Sequence, residues 1–244
     1  MPPHVLVVTS CTAQKASNPP NALTWTDFQS SDRTRRAEAL RPFWLPAGQM
    51  YTGGQHVDLM TGVHRFRSTG GRIDIAILSA GYGVLAEETV IAPYHVTFAA
   101  LPALVRRPWI QQLAIAETLQ TLVQSYDLVF FLLGGLYLEA AGFSWPRDRG
   151  PLRIFLAGRS QAAQIGTGSR CYALGVGIPE ARVFHRGLVR LKGFLFTQFL
   201  AALYNRYDGS WTAVLQDPTI IRAAMLTVCQ IPEDSACLPW IVRP

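Results

Sequence analysis

The chain has 244 residues, of which 49% are hydrophobic and 16% are charged, a composition that excludes an intrinsically disordered chain and allows a sizeable core. The formal net charge is +6, and Lys15 and Lys192 are the only lysines, so arginine carries nearly all of the positive charge. Arginine pairs bidentately with phosphates and stacks on bases, so this balance favours an anionic partner, nucleic acid first. A GC-rich genome, which encodes arginine readily, is the alternative explanation.

Two strands and one long helix are predicted in the first third of the chain. The apolar, β-branched run His4–Ser10 predicts a buried parallel strand. Residues 16–48 are rich in Pro, Ser, Thr and Arg and predict a long loop with one short helix around residues 32–40. Apolar residues recur at helical spacing over Thr52–Gly71, which ends in a Gly-Gly stop, and Arg72–Ser79 predicts the second strand.

A second alternation of helix and strands follows. Residues 102–126 predict a helix with one apolar side, which Pro108 breaks or kinks. The continuously apolar run Asp127–Gly135 predicts a third strand that is covered on both faces, and Leu152–Gly158 predicts a fourth.

Late helices complete the predicted fold. An amphipathic helix is predicted over residues 188–207, and a second helical stretch around residues 218–231 precedes a proline-bounded tail. Strands that alternate with helices indicate an α/β fold, with an open, mainly parallel sheet flanked by helices. We expect a single domain over residues 1–244, with the late helices from about residue 186 packed on it.

Each predicted strand ends in small or reactive residues. Ligands bind outside the carboxyl ends of parallel strands, so these turns converge on one pocket if the four strands are neighbours. Glycine there lets the backbone approach a ligand, and exposed amides suit a phosphate or a base edge. The alternative is that Gly and Ser merely end strands and open helices. The turns are Thr9-Ser10-Cys11 with Lys15, Ser79–Gly83, Gly134-Gly135 with Tyr137, and Gly158-Arg159-Ser160.

The four cysteines argue against a disulfide framework and a metal site. Cys11, Cys171, Cys229 and Cys237 form no C-x-x-C pair, and no histidine lies near them at zinc spacing. No signal-peptide pattern or apolar run of membrane-spanning length is visible, so we expect a soluble, cytoplasmic protein without a cofactor. Cys11 is either a thiol activated near a helix start or a small buried residue at a strand end.

Ordered motifs over residues 4 to 160 resemble the YaaA-type peroxide-stress proteins and one domain of archaeosine synthase. The segments are VLVVTSCTAQK, MYTGGQ, ILSAGYGVLAEETVIAPYHVTF and LLGGLYLEAA. The resemblance is closer to related bacterial and phage proteins with S-C-x-x-K, L-S-A-K-Y-G-L and I-x-P-Y-D-x-T. Two positions depart from that pattern, because Gly81 stands where these relatives carry Lys and His95 where they carry Asp.

The resemblance implies a uracil-DNA-glycosylase type of α/β fold and a role on nucleic acids. The relatives bind DNA under oxidative stress, modify a deazapurine base in tRNA or, in an antiviral branch, excise modified bases from phage DNA. A DNA glycosylase that hydrolyses the N-glycosidic bond of a modified base is therefore the first hypothesis. A DNA-binding stress protein without chemistry and a tRNA deazaguanine-modifying enzyme are the alternatives.

Glycosidic cleavage suggests which side chains to look for. Positive charge develops on the sugar and negative charge on the departing base, so a carboxylate and a cationic or imidazole group are expected. Glu88 is the first candidate for the carboxylate because it follows the second strand, with Glu87 and Glu139 as alternatives. Asp127 begins a strand and is expected at the opposite edge of the sheet.

The departing base and the nucleotide need further contacts. His95 and Arg159 are candidates for the leaving group, and Lys15 for a phosphate or, alternatively, for an imine. A flipped base is read by stacking and by hydrogen bonds. The stacking candidates are Tyr82, Tyr94 and Tyr137. The candidates that read base edges, hold a phosphate or line the pocket are Ser10, Cys11, Thr12, Tyr51, Ser79, Gly134 and Gly135, with Ser10 also a catalytic candidate.

A basic and aromatic segment precedes these motifs. It could follow a nucleic-acid backbone, and an ordinary surface loop is the alternative. The segment comprises Arg33, Arg35, Arg36, Arg41, Trp25 and Trp44.

Overall fold

A computed structural model describes residues 2–142, 146–207 and 209–228. The strands are β1 (Val5–Ser10), β2 (Leu45–Pro46), β3 (Asp74–Ser79), β4 (Gly83–Ala86), β5 (Val90–Ile91), β6 (Leu128–Leu132), β7 (Leu152–Ala157) and β8 (Cys171–Gly175). The first helices are α1 (Trp25–Phe28), α2 (Arg33–Glu38), α3 (Ala47–Met50), α4 (Gly54–Ser68), α5 (Ala103–Gln112) and α6 (Ile115–Leu122). The later helices are α7 (Gly135–Ala141), α8 (Arg159–Ile165), α9 (Ile178–Val183), α10 (Leu188–Tyr207), α11 (Trp211–Gln216) and α12 (Ile220–Val228).

A six-stranded, mostly parallel sheet with flanking helices forms the centre of the molecule. Its strand order is β4-β3-β1-β6-β7-β8. In β1, Val7 pairs with Ile75 of β3 on one side and with Phe130 of β6 on the other, both in parallel register. The central strands are buried along almost their whole length, as expected of parallel strands covered on both faces. The predicted α/β class is confirmed.

The four predicted strands are the four adjacent parallel strands β3, β1, β6 and β7. Two further strands of this sheet, β4 and β8, were not predicted, and neither were the two-residue strands β2 and β5. β8 is as long as β6 but only partly buried, and its sequence lacks the apolar run of the others. β4 is an antiparallel edge strand that returns along β3, with Ser79 opposite Gly83. Gly83 has a φ of 78°, a conformation that favours glycine and allows this tight return.

Two long helices cover one face of the sheet. α10 packs along α4 and against β6, where Phe130 meets Phe196 with ring centroids 5.0 Å apart. The close helix approach requires glycine, since a Cβ on Gly193 would lie 2.2 Å from the Gln55 carbonyl oxygen. Within the described ranges, no helix is both long and apolar enough to cross a membrane.

The helix predicted over residues 102–126 is interrupted, but not at Pro108. Pro108 lies inside α5, and the helical conformation continues to Gln112. The break falls at Ala114, whose φ of 47° is left-handed, and α6 starts at the next residue. The predicted position of the break at Pro108 is therefore corrected to Ala114. The predicted tail after α12 lies outside the described residues.

Candidate functional site

A cleft of about 630 Å³ opens at the carboxyl edge of the sheet, beside the ends of β1 and β6. This volume lies within the range of small-molecule sites. The lining comes from the end of β1, the start of α4, the turn from β6 into α7, and three more distant positions. The residues are 10–14, 53–55 and 134–137, with Thr97, Ala99 and Val189. Six predicted site residues line it: Ser10, Cys11, Thr12, Gly134, Gly135 and Tyr137.

The thiol of Cys11 and the hydroxyl of Tyr137 meet at the wall of the cleft. Their sulfur and oxygen atoms are 3.0 Å apart, so one group donates a hydrogen bond to the other. Cys11 is held in place by its backbone amide, which donates to the Leu78 carbonyl at 2.8 Å. Burial raises the pKa of the Tyr137 phenol, so the hydroxyl keeps its proton at neutral pH.

The start of α4 is tied to the ends of both strands. The Gln55 amide nitrogen donates to the Thr9 hydroxyl at 3.2 Å and to the Leu132 carbonyl at 2.9 Å. The backbone amide of Gly53 donates to the Thr12 hydroxyl at 3.1 Å. These bonds fix one wall of the cleft. Thr12 was among the predicted residues, whereas Gln55 was not, although it lies within the quoted MYTGGQ segment.

A chain of buried hydroxyls lies behind the cleft. Ser79 Oγ accepts hydrogen bonds from the backbone amides of Gly81 and Tyr82, at 3.2 and 3.0 Å. With its lone pairs used, Ser79 donates its proton to the Tyr94 oxygen at 2.7 Å. The hydroxyl oxygens of Tyr94 and Tyr51 lie 2.8 Å apart, so one of these groups donates to the other. Tyr51 and Tyr94 are buried, so the prediction that Tyr94 stacks on a base is corrected to this internal role.

Lys15 supplies a positive charge close to this hydroxyl chain. Its ammonium lies 4.3 Å from the ring centroid of Tyr94 and donates to the Thr12 carbonyl at 3.3 Å. Burial lowers the pKa of Lys15, while the charge of a Cys11 thiolate acts in the opposite direction. Among the described residues that line the cleft, none carries a carboxylate or an imidazole. The site therefore favours a neutral or anionic ligand group.

Glu88 lies at the opposite edge of the sheet, which corrects its predicted place in the pocket. Because β4 runs back along β3, the chain has returned to the amino end of β3 before it reaches Glu88. There Glu88 lines a separate cavity of about 410 Å³ together with Asp74 and Tyr126. Glu87 is engaged in an ion pair with Arg67, whose Nη1 lies 3.0 Å from a Glu87 carboxylate oxygen.

Three other predicted residues also lie away from the cleft lining. The His95 side chain is exposed, while its backbone amide donates to the Leu23 carbonyl at 2.7 Å. Arg159 is ion-paired with the buried Glu180, which also accepts from the Gly177 amide. Tyr82 donates to the Ala92 carbonyl at 3.1 Å and packs edge-on against Phe28. The three side chains therefore lie outside the cleft in which base contacts were predicted.

Glu139 and Asp127 are also accounted for. Glu139 is exposed on α7 and faces Arg107 at 3.9 Å, outside the cleft lining. Asp127 precedes β6 at the amino edge, where its carboxylate accepts from the His4 backbone amide at 2.8 Å. The prediction for Asp127 is confirmed.

The arginines of the basic segment are engaged within the protein. Arg35 pairs with Asp32 at 2.9 Å, Arg36 pairs with Asp27, and Arg41 pairs with Glu38 at 2.9 Å. The Arg33 guanidinium lies 4.6 Å from the centre of the Phe28 ring. These local pairs reduce the positive charge that the segment presents to a nucleic-acid backbone.

Cysteine and metal chemistry are limited in the described part of the chain. Cys11 and Cys171 are both buried and free, and Cys229 and Cys237 lie outside the described residues. Across residues 2–142, 146–207 and 209–228, no three His, Cys, Asp or Glu side chains are grouped so as to hold a metal ion.

One protein-family model matches the chain, over residues 40–166, which is just over half of its length. That model is DUF6884, described as a family of unknown function. The matched region includes α4 and the turn from β6 into α7, whereas Cys11 and Val189 lie outside it. No curated protein and no solved structure matches the chain.

Proposed function

The chain belongs to the DUF6884 family, and we propose that it is a DNA glycosylase that holds one displaced nucleotide in the cleft and hydrolyses the N-glycosidic bond of a modified base. The observation that carries the proposal is the position of the cleft at the carboxyl edge of a parallel sheet, with Cys11, Tyr137 and the Gly134-Gly135 turn in its wall. We further propose that the sheet and helices follow the uracil-DNA-glycosylase type, with modified phage DNA as the substrate.

The shape of the cleft suits a flipped nucleotide. Enzymes that act on a base in duplex DNA move it out of the stack into a fitted pocket. The Gly134-Gly135 turn lets the backbone approach the base closely, since a Cβ on Gly134 would meet nothing within 4 Å. Tyr137, which is half-buried at the wall, offers a ring and a hydroxyl to that base.

The rim of the cleft offers contacts to DNA. Leu188 and Val189 at the start of α10 are 51% and 77% exposed, an unusual environment for aliphatic side chains. Val189 lines the cleft, and Arg186 precedes the pair in sequence, whereas Arg190 is paired with Asp58 at 2.6 Å. Exposed apolar side chains of this kind are suited to an unstacked base step.

Stabilisation of the departing base would supply the catalysis. As the bond from C1′ to the base breaks, the bonding electron pair leaves with the base and water attacks C1′. Because one of the two groups donates to the other, the Cys11–Tyr137 pair has one proton left to donate to the base, and Lys15 lies nearby with its positive charge. The attacking water gives its proton to solvent, because the described lining offers no carboxylate to receive it.

That same lining favours a second function, a DNA-binding protein without chemistry. Glycosidic cleavage normally uses a carboxylate at the sugar, and the described cleft residues provide none. In this case the cleft holds a base or phosphate and releases it unchanged.

One assay separates the two functions. Duplex and single-stranded DNA with natural or phage-type modified bases is incubated with the protein, treated with alkali and analysed for strand breaks at abasic sites. Breaks on one modified substrate support the glycosylase. Binding that weakens with salt, but without breaks on any substrate, supports the binding protein, and a preference for RNA alone contradicts both.

The cleft itself is tested with Gly134→Leu. The added side chain has free space and an extended backbone with a φ of −79°, so we expect the protein to fold and base release to fall at least about tenfold. Glu88→Gln, at the opposite edge of the sheet, is the matched control. Unchanged base release in folded Gly134→Leu would move the site away from this cleft.

A further inference from the structure

Lys192 places a primary amine immediately behind the cleft. It lies on α10, and its Nζ donates to the Leu133 carbonyl at 2.5 Å, at the point where β6 gives way to the Gly134-Gly135 turn. The amine therefore sits one peptide unit from a backbone segment that lines the cleft. Lys192 and Lys15 are the two lysines of the sequence, so the chain has only these two lysine side-chain amines.

Three residues near Lys192, in sequence or in space, relate it to the cleft. Val189 precedes it by three residues on the same face of α10 and lines the cleft. The next residue, Gly193, abuts the backbone of Gln55, which also lines the cleft. Gly134 follows the carbonyl that Lys192 binds. To meet a ligand in the cleft, the Lys192 side chain would have to release the Leu133 carbonyl and turn towards Gly134.

The surroundings of the amine favour its neutral, nucleophilic form. The side chain is partly buried, and its hydrogen-bond acceptor is a neutral carbonyl and not a carboxylate. Burial lowers the pKa of Lys192 to about 8, so an appreciable fraction is unprotonated at neutral pH. Lys15 differs, since its ammonium lies over the Tyr94 ring and faces the Cys11 thiol.

We propose that Lys192 forms an imine with the C1′ aldehyde of an abasic deoxyribose in the cleft, so that the protein also acts as a lyase on the DNA strand. This inference rests on the proposed glycosylase function, which supplies the abasic sugar. It replaces Lys15, the sequence-based candidate for an imine, by Lys192.

The reaction balances without an added reagent. The nitrogen lone pair of the neutral amine attacks the aldehyde carbon and a C–N bond forms. The aldehyde oxygen takes one proton from the amine and one from solvent and leaves as water, which gives the protonated imine. The C2′ proton then passes to solvent, its bonding electrons form the C2′–C3′ double bond, and the 3′ phosphate departs with the C3′–O electron pair. Hydrolysis of the imine returns the free amine.

Borohydride trapping tests the proposal with the full chain and DNA that already contains an abasic site, so that no base excision is required. Sodium cyanoborohydride reduces an imine to a stable amine, and the covalent protein–DNA product is counted on a denaturing gel. Peptide mapping by mass spectrometry then locates the modified residue. We expect the modification at Lys192.

Two variants sharpen the assignment. Lys192→Arg keeps a cation and a hydrogen-bond donor at the Leu133 carbonyl but cannot form an imine, so we expect the trapped product to fall at least about tenfold in a protein with unchanged circular dichroism. Lys192→Met serves in its place if Lys192→Arg does not fold. Lys15→Arg is the comparison variant, and loss of product there with retention in Lys192→Arg overturns the proposal.

The result for this inference is separable from the result for base excision. No trapped product from wild type on abasic DNA, together with base release from modified DNA, overturns the lyase inference alone. A trapped product at Lys192 without base release from any modified DNA supports imine formation and overturns the glycosylase. Modification at the N-terminal amine only also overturns the inference.

Discussion

The Cys11 thiol and the Tyr137 hydroxyl lie 3.0 Å apart although 126 positions separate them in the sequence. Cys11 directly follows β1, and Tyr137 lies in the first turn of α7, just beyond β6. Because β1 and β6 are adjacent and parallel, the sheet brings both groups to the same wall of the cleft. This pair can therefore contact one ligand atom from two independently anchored elements.

Tyr137→Phe tests the chemical part of this pair. The ring remains, so we expect stability to fall by only about 1 kcal/mol, the usual contribution of one hydrogen bond. Base release should fall at least about tenfold, because the departing base loses one proton donor. Urea unfolding and the abasic-site assay measure the two effects. Equal base release by wild type and Tyr137→Phe would exclude the hydroxyl from the reaction.

Tyr94→Phe tests the hydroxyl chain behind the cleft. The variant removes the group that links Ser79 and Tyr51 and leaves the buried Ser79 proton without its acceptor, so we expect a loss of about 2 to 3 kcal/mol in unfolding free energy. Tyr82→Phe, which removes one bond to the Ala92 carbonyl, is the matched control with an expected loss of about 1 kcal/mol. Similar losses in the two variants would contradict a cooperative chain.

Glu87 and Glu88 are adjacent but have different surroundings. Glu87→Ala leaves Arg67 without its carboxylate partner, and because Arg67 is partly exposed we expect a loss of about 1 to 3 kcal/mol in stability. Glu88→Ala should change stability by less than about 0.5 kcal/mol and should leave base release unchanged. Chemical denaturation and the abasic-site assay compare the two variants, and loss of base release in Glu88→Ala would restore the carboxylate to the reaction.

Gly81 lies where the structure leaves no room for a side chain. A Cβ at this position would lie 2.7 Å from Cζ of Phe28 and 3.1 Å from a ring carbon of Tyr94. We expect Gly81→Ala to cost about 1 to 3 kcal/mol by overpacking. The double variant Gly81→Ala/Phe28→Leu should recover part of that loss relative to the sum of the single variants, as measured by a double-mutant cycle.

The lyase inference carries a specific pH dependence. The folded-state pKa of Lys192 is lowered from 10.5 to about 8, and imine formation requires the neutral amine. The rate of borohydride trapping should therefore rise as pH increases and level off above about 8. A rate that continues to rise towards pH 10.5 would point to an unperturbed amine elsewhere.

The same shift affects stability with a defined sign. Between pH 8 and 10.5 the unfolded chain binds more protons at Lys192 than the folded protein does, so this residue makes unfolding free energy rise with pH across that window. Below pH 8 both states are protonated and the residue contributes no further slope. Lys192→Met should remove this part of the pH dependence, as measured by urea unfolding at several pH values.

The strand positions were readable from the sequence because the central strands are buried on both faces and therefore continuously apolar. Val5–Ser10 and Leu152–Ala157 differ from their predicted ranges by one residue at one end. The late helix over residues 188–207 was also predicted with the bounds it has, since no proline or glycine pair interrupts it.

The predicted carboxylate was misplaced because a strand direction was missed. The residues Gly83–Ala86 are too few to show a period of alternation, so nothing in the sequence distinguished an antiparallel return from a loop. Because β4 runs antiparallel to β3, Glu88 lies at the amino edge of the sheet and not at the predicted carboxyl edge. Lys192 and Gln55 were missed for another reason, because their proximity to the cleft depends on how α4 and α10 pack on the sheet.

The central place of β1 has a consequence for how the cleft can vary. From β1 the chain first builds the β3 side of the sheet and then crosses to β6, β7 and β8 on the other side. The reversal of direction leaves a crevice at the end of β1, whichever side chains occupy it. The order of the strands therefore sets the location of the cleft. Substitutions of single lining residues can change its chemistry without moving it.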